Sequence, residues 1–190
     1  MEEIWQAIDV AVQQGKILYS GSSNFAGWQI AQAQEAATRR HNFGLVSEQS
    51  IYNLLTRSIE LEVIPAARHY GLGILPWSPL HGGLLGGVLK KEREGVRRAE
   101  GRARDALKAH HEQVRQYEEL AVQLDREPAD VALAWLLHQP AVTAPIVGPR
   151  TQDQLDAALR ALDVSLDADA LKRLDDIFPG HRTAPEDYAW

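Results

Sequence analysis

Four times along the chain a short apolar run stops at a polar loop, and a helical pattern takes over. The runs are Ile17–Tyr19, Leu45–Ser47, Gly73–Pro76 and Val142–Val147. Each is too short for a helix and is bounded by turn residues, so each reads as a buried strand. Strands that alternate with helices join through right-handed crossovers into a parallel sheet. The predicted fold class is therefore α/β, with about four parallel strands. Sheets and barrels of this kind bind ligands at the C-terminal ends of their strands, and the polar loops fall there. A closed eight-stranded barrel takes about 250 residues. This chain, at 190 residues, has neither the length nor the strand count for one.

The helical patterns are clear in most places. Glu2–Gln14 carries Ile4, Ile8 and Val12 at helical spacing and ends at Gly15, a good C-cap. Trp28–Arg39 is rich in Ala and Gln, and Ile59–Tyr70 is helical with Pro65 as a kink or boundary. Ala106–Leu124 is amphipathic, and Ala129–Leu137 follows Pro128 at the first helical position. Two more helices are predicted over Gln152–Leu162 and Asp167–Ile177. Residues 88–105 are rich in Arg, Glu and Gly and read as a long mobile loop. The tail, Pro179–Trp190, shows no periodicity and is expected to lie irregularly on the surface.

The strand ends carry the chemistry. At the first, Ser23 and Asn24 offer a hydroxyl and an amide, which suit a carboxamide or serve equally as helix caps. At the second, Gln49 adds an amide, while Tyr52 and Asn53 fit helix-start packing as well. At the third, Trp77-Ser78-Pro79-Leu80 leads into Gly82-Gly83 and Gly86-Gly87. A flat aromatic there can stack on a heterocycle, and glycines let the backbone approach a bound group. At the fourth, Gly148 and Arg150 open a helix whose first amides and guanidinium suit an anion. Amide pair, amide, aromatic and anion site come in the order that a nicotinamide dinucleotide phosphate requires. No GxGxxG occurs, so a Rossmann site is not indicated.

Bulk properties narrow the partners. A formal charge of −6 gives no general reason to expect nucleic acid or an anionic membrane. The absence of cysteine excludes disulfides, thiol catalysis and Cys-based metal sites. No apolar run approaches the roughly 18 residues of a membrane span. With no signal-peptide pattern evident, the cytoplasm is the expected location. His69, His110, His111 and His138 fall on helices. The adjacent pair at 110–111 points to different sides and cannot share a metal. His81, in the glycine loop, could reach a substrate but reads as a solvated loop histidine.

Four segments carry a specific resemblance. Gln14–Phe25, Glu48–Leu55, Trp77–Leu80 and Ile146–Leu155 look like the successive cofactor segments of the aldo-keto reductase family, in order, over Glu2 to about Leu162. The resemblance implies that the chain is the C-terminal half of a (β/α)8 TIM barrel, a single partial domain over 1–190. It implies NADP as cofactor and an aldehyde or ketone as substrate of the complete enzyme. Ser23, Asn24 and Gln49 would hold the carboxamide, and Trp77 would stack on the nicotinamide. Ser78 and Leu80 would line the pyrophosphate, Gly82 is a further cofactor-binding residue, and Gly148, Arg150 and Gln154 would face the adenosine end. Arg98 is a candidate clamp.

Two departures accompany the resemblance. Ala157 and Ala158 stand where the family often has an acid and an Asn against the adenine. The family's catalytic Asp, Tyr, Lys and His lie on the first four strands, ahead of the segments matched here. No catalytic residue is therefore assigned, and the chain alone is expected to be inactive. Neither Tyr19 nor Tyr70 sits at a strand end beside a Lys, as a substitute acid would need to. The rival expectation is a non-catalytic nucleotide-binding or interaction module. A half-barrel exposes sheet edges, which favours a homodimer or a complementing N-terminal half.

Overall fold

A computed structural model describes residues 1–95 and 101–188. Helix α1 (Glu2–Gln13) leads to strand β1 (Ser20–Ser23), α2 (Gly27–Arg39), β2 (Leu45–Gln49), α3 (Val63–Tyr70) and β3 (Gly73–Ile74). The three strands form one parallel sheet in the order β1-β2-β3, as the alternation of strand and helix requires. Then follow α4 (Val88–Arg93), α5 (Gly101–Gln123), α6 (Pro128–Leu137), α7 (Gln152–Arg160), α8 (Ala168–Ile177) and α9 (Ala184–Tyr188).

The main core lies between the sheet and the helices around it. Helix α6 is buried along Val131–Leu136, so its sequence is apolar on every side rather than along one stripe. Its Trp135 packs against Tyr52 with ring centroids 5.2 Å apart, while the guanidinium of Arg57 lies 4.9 Å from the Trp135 ring. Arg57 also reaches Glu60 at 2.8 Å and Asp175 at 2.6 Å, tying the loop after β2 to α8. The Glu118 carboxylate, on α5, accepts from the Leu89 and Lys90 amides at 2.8 and 2.9 Å, capping the start of α4 from another element. Among the described residues no helix is long and apolar enough to cross a membrane.

Several boundaries differ from the sequence reading. The first strand is Ser20–Ser23, not Ile17–Tyr19, and Leu18 and Tyr19 are 79% and 64% exposed. Close pairing accompanies this: Gly21 lies opposite Ser47, where a Cβ would crowd the Ser47 hydroxyl and come within 3.0 Å of its carbonyl oxygen. The fourth run, Val142–Val147, is not a strand. It runs beside β3 with one bridge, Ile74 to Val142, and two bonds, Thr143 N to Ile74 O (2.9 Å) and Ile146 N to Pro76 O (2.8 Å). Pro76 and Pro145 lack the N–H groups that a full ladder needs.

Residues 88–105 are not simply a loop: α4 occupies Val88–Arg93 and α5 begins at Gly101. Charged straight-chain residues are good helix formers, and the low apolar content that suggested a loop does not oppose a short helix capped by Glu118. Pro65 lies in the first turn of α3, where its missing N–H costs nothing, and the break falls earlier, between a short 3-10 turn at Ser58–Glu60 and Val63. The tail forms α9 and is tied down: His181 N donates to Glu60 Oε2 (2.7 Å) and Ala184 N to Leu61 O (2.9 Å).

Candidate functional site

The loops after β1 and β3 meet directly. Asn24, just past β1, has a left-handed backbone (φ 56°), which Asn tolerates better than most residues. Its amide N–H donates to Gln49 O at 2.9 Å, fixing it to the end of β2. From there its side chain accepts from Trp77 Nε1 at 3.0 Å and donates to Ser23 Oγ at 3.1 Å. Ser23, Asn24 and Gln49 are exposed and Trp77 is half-buried, so together they form an open shelf at the strand ends. Among the described residues the side-chain amide of Asn24 keeps one N–H and one oxygen lone pair unused.

The third loop is held by a residue that sequence reasoning left open. Asn53 is 0% exposed; its Nδ2 donates to Ser78 O at 3.0 Å, and its Oδ1 accepts from the amides of Leu55 and Thr56 at 3.0 and 2.9 Å. Ser78 has φ 55°, a conformation that costs a non-glycine residue about 1–2 kcal/mol. Asn53 offsets that strain by clamping the Ser78 carbonyl. Past Leu80, Gly82 and Gly83 have φ 65° and 98°, and a Cβ at either would meet nothing within 4 Å. Their positive φ is what demands glycine.

The fourth segment approaches through the Ile146–Pro76 bond, one residue from Trp77. Thr151 caps α7 by accepting from Gln154 N at 3.3 Å, and Gln154 Oε1 accepts from Arg150 N at 2.8 Å. Gly148, Arg150 and Gln154 are all exposed, and Arg150 immediately precedes the Thr151 cap of α7. Ala157 and Ala158 are half-buried. Arg98 lies outside the described residues.

His81 is not a solvated loop residue. It is half-buried, with Nδ1 3.4 Å from Thr56 Oγ1, and burial, then the neighbouring His110, pushes its pKa below the usual value. His110 sits at an irregular point in α5 (φ −119°, ψ 20°). Tyr52 is likewise committed to structure: its hydroxyl donates to Glu60 Oε1 at 2.6 Å, and burial raises its pKa far above the phenol range. Among the described residues no group of three or more His, Asp or Glu side chains is placed to hold a metal.

Glu48, on the middle strand, is 0% exposed. Ser22 Oγ, Ser50 Oγ (2.6 Å) and Phe25 N (3.1 Å) all donate to its carboxylate. Only the fold exposes its role: in sequence Glu48 simply follows the apolar run Leu45–Ser47, and burial there is costly unless its oxygens find donors.

A three-stranded parallel sheet with polar loops gathered at its strand ends defines the α/β class that binds ligands there. The Aldo/keto reductase family matches residues 1–178, and the chain belongs to that family of oxidoreductases. It is 48% identical over 190 residues to a protein of Bacillus subtilis (strain 168) described as an uncharacterized oxidoreductase YrpG, covering 100% of this chain and 58% of that one. It is 32% identical over 198 residues to versiconal hemiacetal acetate reductase of Aspergillus parasiticus, covering 95% of this chain and 56% of the relative. The chain thus spans somewhat more than half the length of these relatives.

Proposed function

We propose that these 190 residues are the cofactor-binding, C-terminal half of an NADP(H)-dependent aldo-keto reductase. The observation that carries the reading is the Trp77–Asn24 hydrogen bond, which sets a flat aromatic beside Ser23, Asn24 and Gln49. Trp77 offers a stacking face. Ser23, Asn24 and Gln49 retain both donors and acceptors, as a carboxamide requires. Ser78, Leu80 and Gly82 form the turn that would follow the pyrophosphate. Gly148, Arg150 and Gln154 present an exposed helix start and a guanidinium to a terminal phosphate. When bound, the cofactor supplies a hydride for a carbonyl, and these side chains bind and orient it.

No described residue stands in a position to protonate the carbonyl in this proposal. Tyr52 and Tyr117 are buried with raised pKa values, and His81 is half-buried against Thr56. We therefore expect the chain alone to bind NADPH without reducing carbonyls. Titration of NADPH fluorescence tests this, with NADH as comparison. No binding up to about 1 mM, the upper end of ordinary cofactor affinities, would refute the reading. NADPH oxidation dependent on an added aldehyde would refute the expected inactivity.

One observation favours association with another chain. β1 is an edge strand, and Leu18, Tyr19 and Phe43 stand 79%, 64% and 90% exposed beside it. The expected occupant is a complementing N-terminal half or a second copy. Sedimentation showing a folded monomer at micromolar concentration, unchanged by added complementing half, would refute both.

A further inference from the structure

Glu48 lies under the proposed carboxamide shelf with no cationic partner among the described ion pairs. An isolated buried carboxylate costs several kcal/mol unless hydrogen bonds compensate it, so its three donors are informative. Two of them flank the polar pair. Ser22, whose hydroxyl donates to Oε2, precedes Ser23; Phe25, whose amide donates to Oε1 at 3.1 Å, follows Asn24. The carboxylate thus closes the segment Ser22–Phe25 from both ends and holds Asn24 in its left-handed conformation (φ 56°). The third donor, Ser50 Oγ at 2.6 Å, belongs to the residue whose carbonyl accepts from Trp77 N at 3.0 Å. Through these bonds one side chain couples the turn bearing Ser23 and Asn24 to the backbone bearing Trp77.

We infer that Glu48 is a positioning residue: its two oxygens orient Ser23, Asn24 and, through Asn24, the Trp77 ring, for a carboxamide-bearing ring. This rests on the functional reading above. A purely structural role at this buried position would be served by an apolar side chain, without the cost of a buried carboxylate.

The test compares two ligands on the 190-residue chain: NADPH, and 2′-phospho-ADP-ribose, which lacks the nicotinamide. Glu48→Ala is expected to weaken NADPH binding about tenfold, the scale of one or two lost charge-assisted bonds, and to leave 2′-phospho-ADP-ribose unchanged. Glu48→Gln is expected to restore NADPH affinity to within about threefold, since its amide oxygen keeps Phe25 and Ser50 while the Ser22 hydroxyl turns to accept. Should Glu48→Ala fail to fold, Ser22→Ala removes one grip alone and is expected to weaken NADPH severalfold with the same selectivity. Equal loss of both ligands, or loss of neither, would overturn the inference. If the unchanged chain fails to bind NADPH, the functional reading falls with it; if it binds and these variants bind equally well, only the role of Glu48 falls.

Discussion

The indole Nε1 of Trp77 donates to Asn24 Oδ1 at 3.0 Å, joining two strand-end loops that are 53 residues apart in sequence. The bond fixes the turn of the ring about its own axis, so the face it offers is set by Asn24. Removing the amide while keeping the left-handed backbone, as in Asn24→Gly, is expected to weaken NADPH binding about tenfold, near the ~1.4 kcal/mol scale of one good hydrogen bond. Trp77→Ala, which removes the stacking face as well, is expected to weaken it further. Fluorescence titration measures both, and an unchanged affinity in Trp77→Ala would exclude stacking at this position.

Helices α2 and α3 touch where Gly27 opens α2. A Cβ on Gly27 would lie 2.8 Å from the Glu62 carbonyl oxygen and 3.1 Å from its carbonyl carbon, and backbone cannot swing aside. Gly27→Ala is expected to destabilise the fold by about 1–3 kcal/mol, the usual cost of overpacking. That outweighs the gain in helix propensity, which is about 1 kcal/mol at most. Thermal melting followed by circular dichroism gives the answer, and an unchanged or raised midpoint would contradict the close contact.

His81 predicts a loss of stability on the acid side. Burial and His110 depress its pKa in the folded chain, so between the unfolded and folded values the unfolded chain takes up the proton first. Stability is therefore full above about pH 7 and falls as pH drops through the unfolded value near ~6.5 and on toward the folded one. His81→Asn, with a side chain that tolerates φ 48°, should flatten that fall. Urea midpoints at about pH 7.5 and about pH 5.5 test it; a parallel drop in both proteins would clear His81 of the effect.

Asp130 predicts the opposite direction. Its Oδ1 is buried without a partner among the described residues, and burial outweighs Arg160, 3.5 Å from Oδ2, to hold the carboxyl above its ordinary range. A raised acid binds its proton more tightly when folded, so its cost appears as pH rises through the unfolded and then the folded value. Asp130→Asn is expected to raise the melting midpoint near neutral pH and to give no gain at about pH 3.5, where the acid is already protonated. An equal gain at both pH values would assign the effect to packing.

The strand-end segments were legible because their chemistry depends on residue type at fixed offsets. Asn24 and Gly82 occupy left-handed positions that Asn and Gly tolerate, and Trp77 stands three residues past the end of β3. The limits of the elements were less legible. Ile17–Tyr19 is the more apolar run, but β1 is Ser20–Ser23, where Gly21 pairs closely opposite Ser47. Helix α4 was hidden because its cap, Glu118, lies far along the chain.

What the sequence by itself determined was the α/β alternation, the order of the polar loops and the membership of the aldo-keto reductase family. Each rests on local spacing and residue identity, which the chain carries wherever it folds. The tertiary structure alone decided that Asn24 would hold Trp77, that Asn53 would restrain Ser78, and that a carboxylate would sit beneath Ser23 and Asn24. Those bonds join strands and strand-end loops that are far apart in the chain, and they exist only once register has brought donor and acceptor within reach.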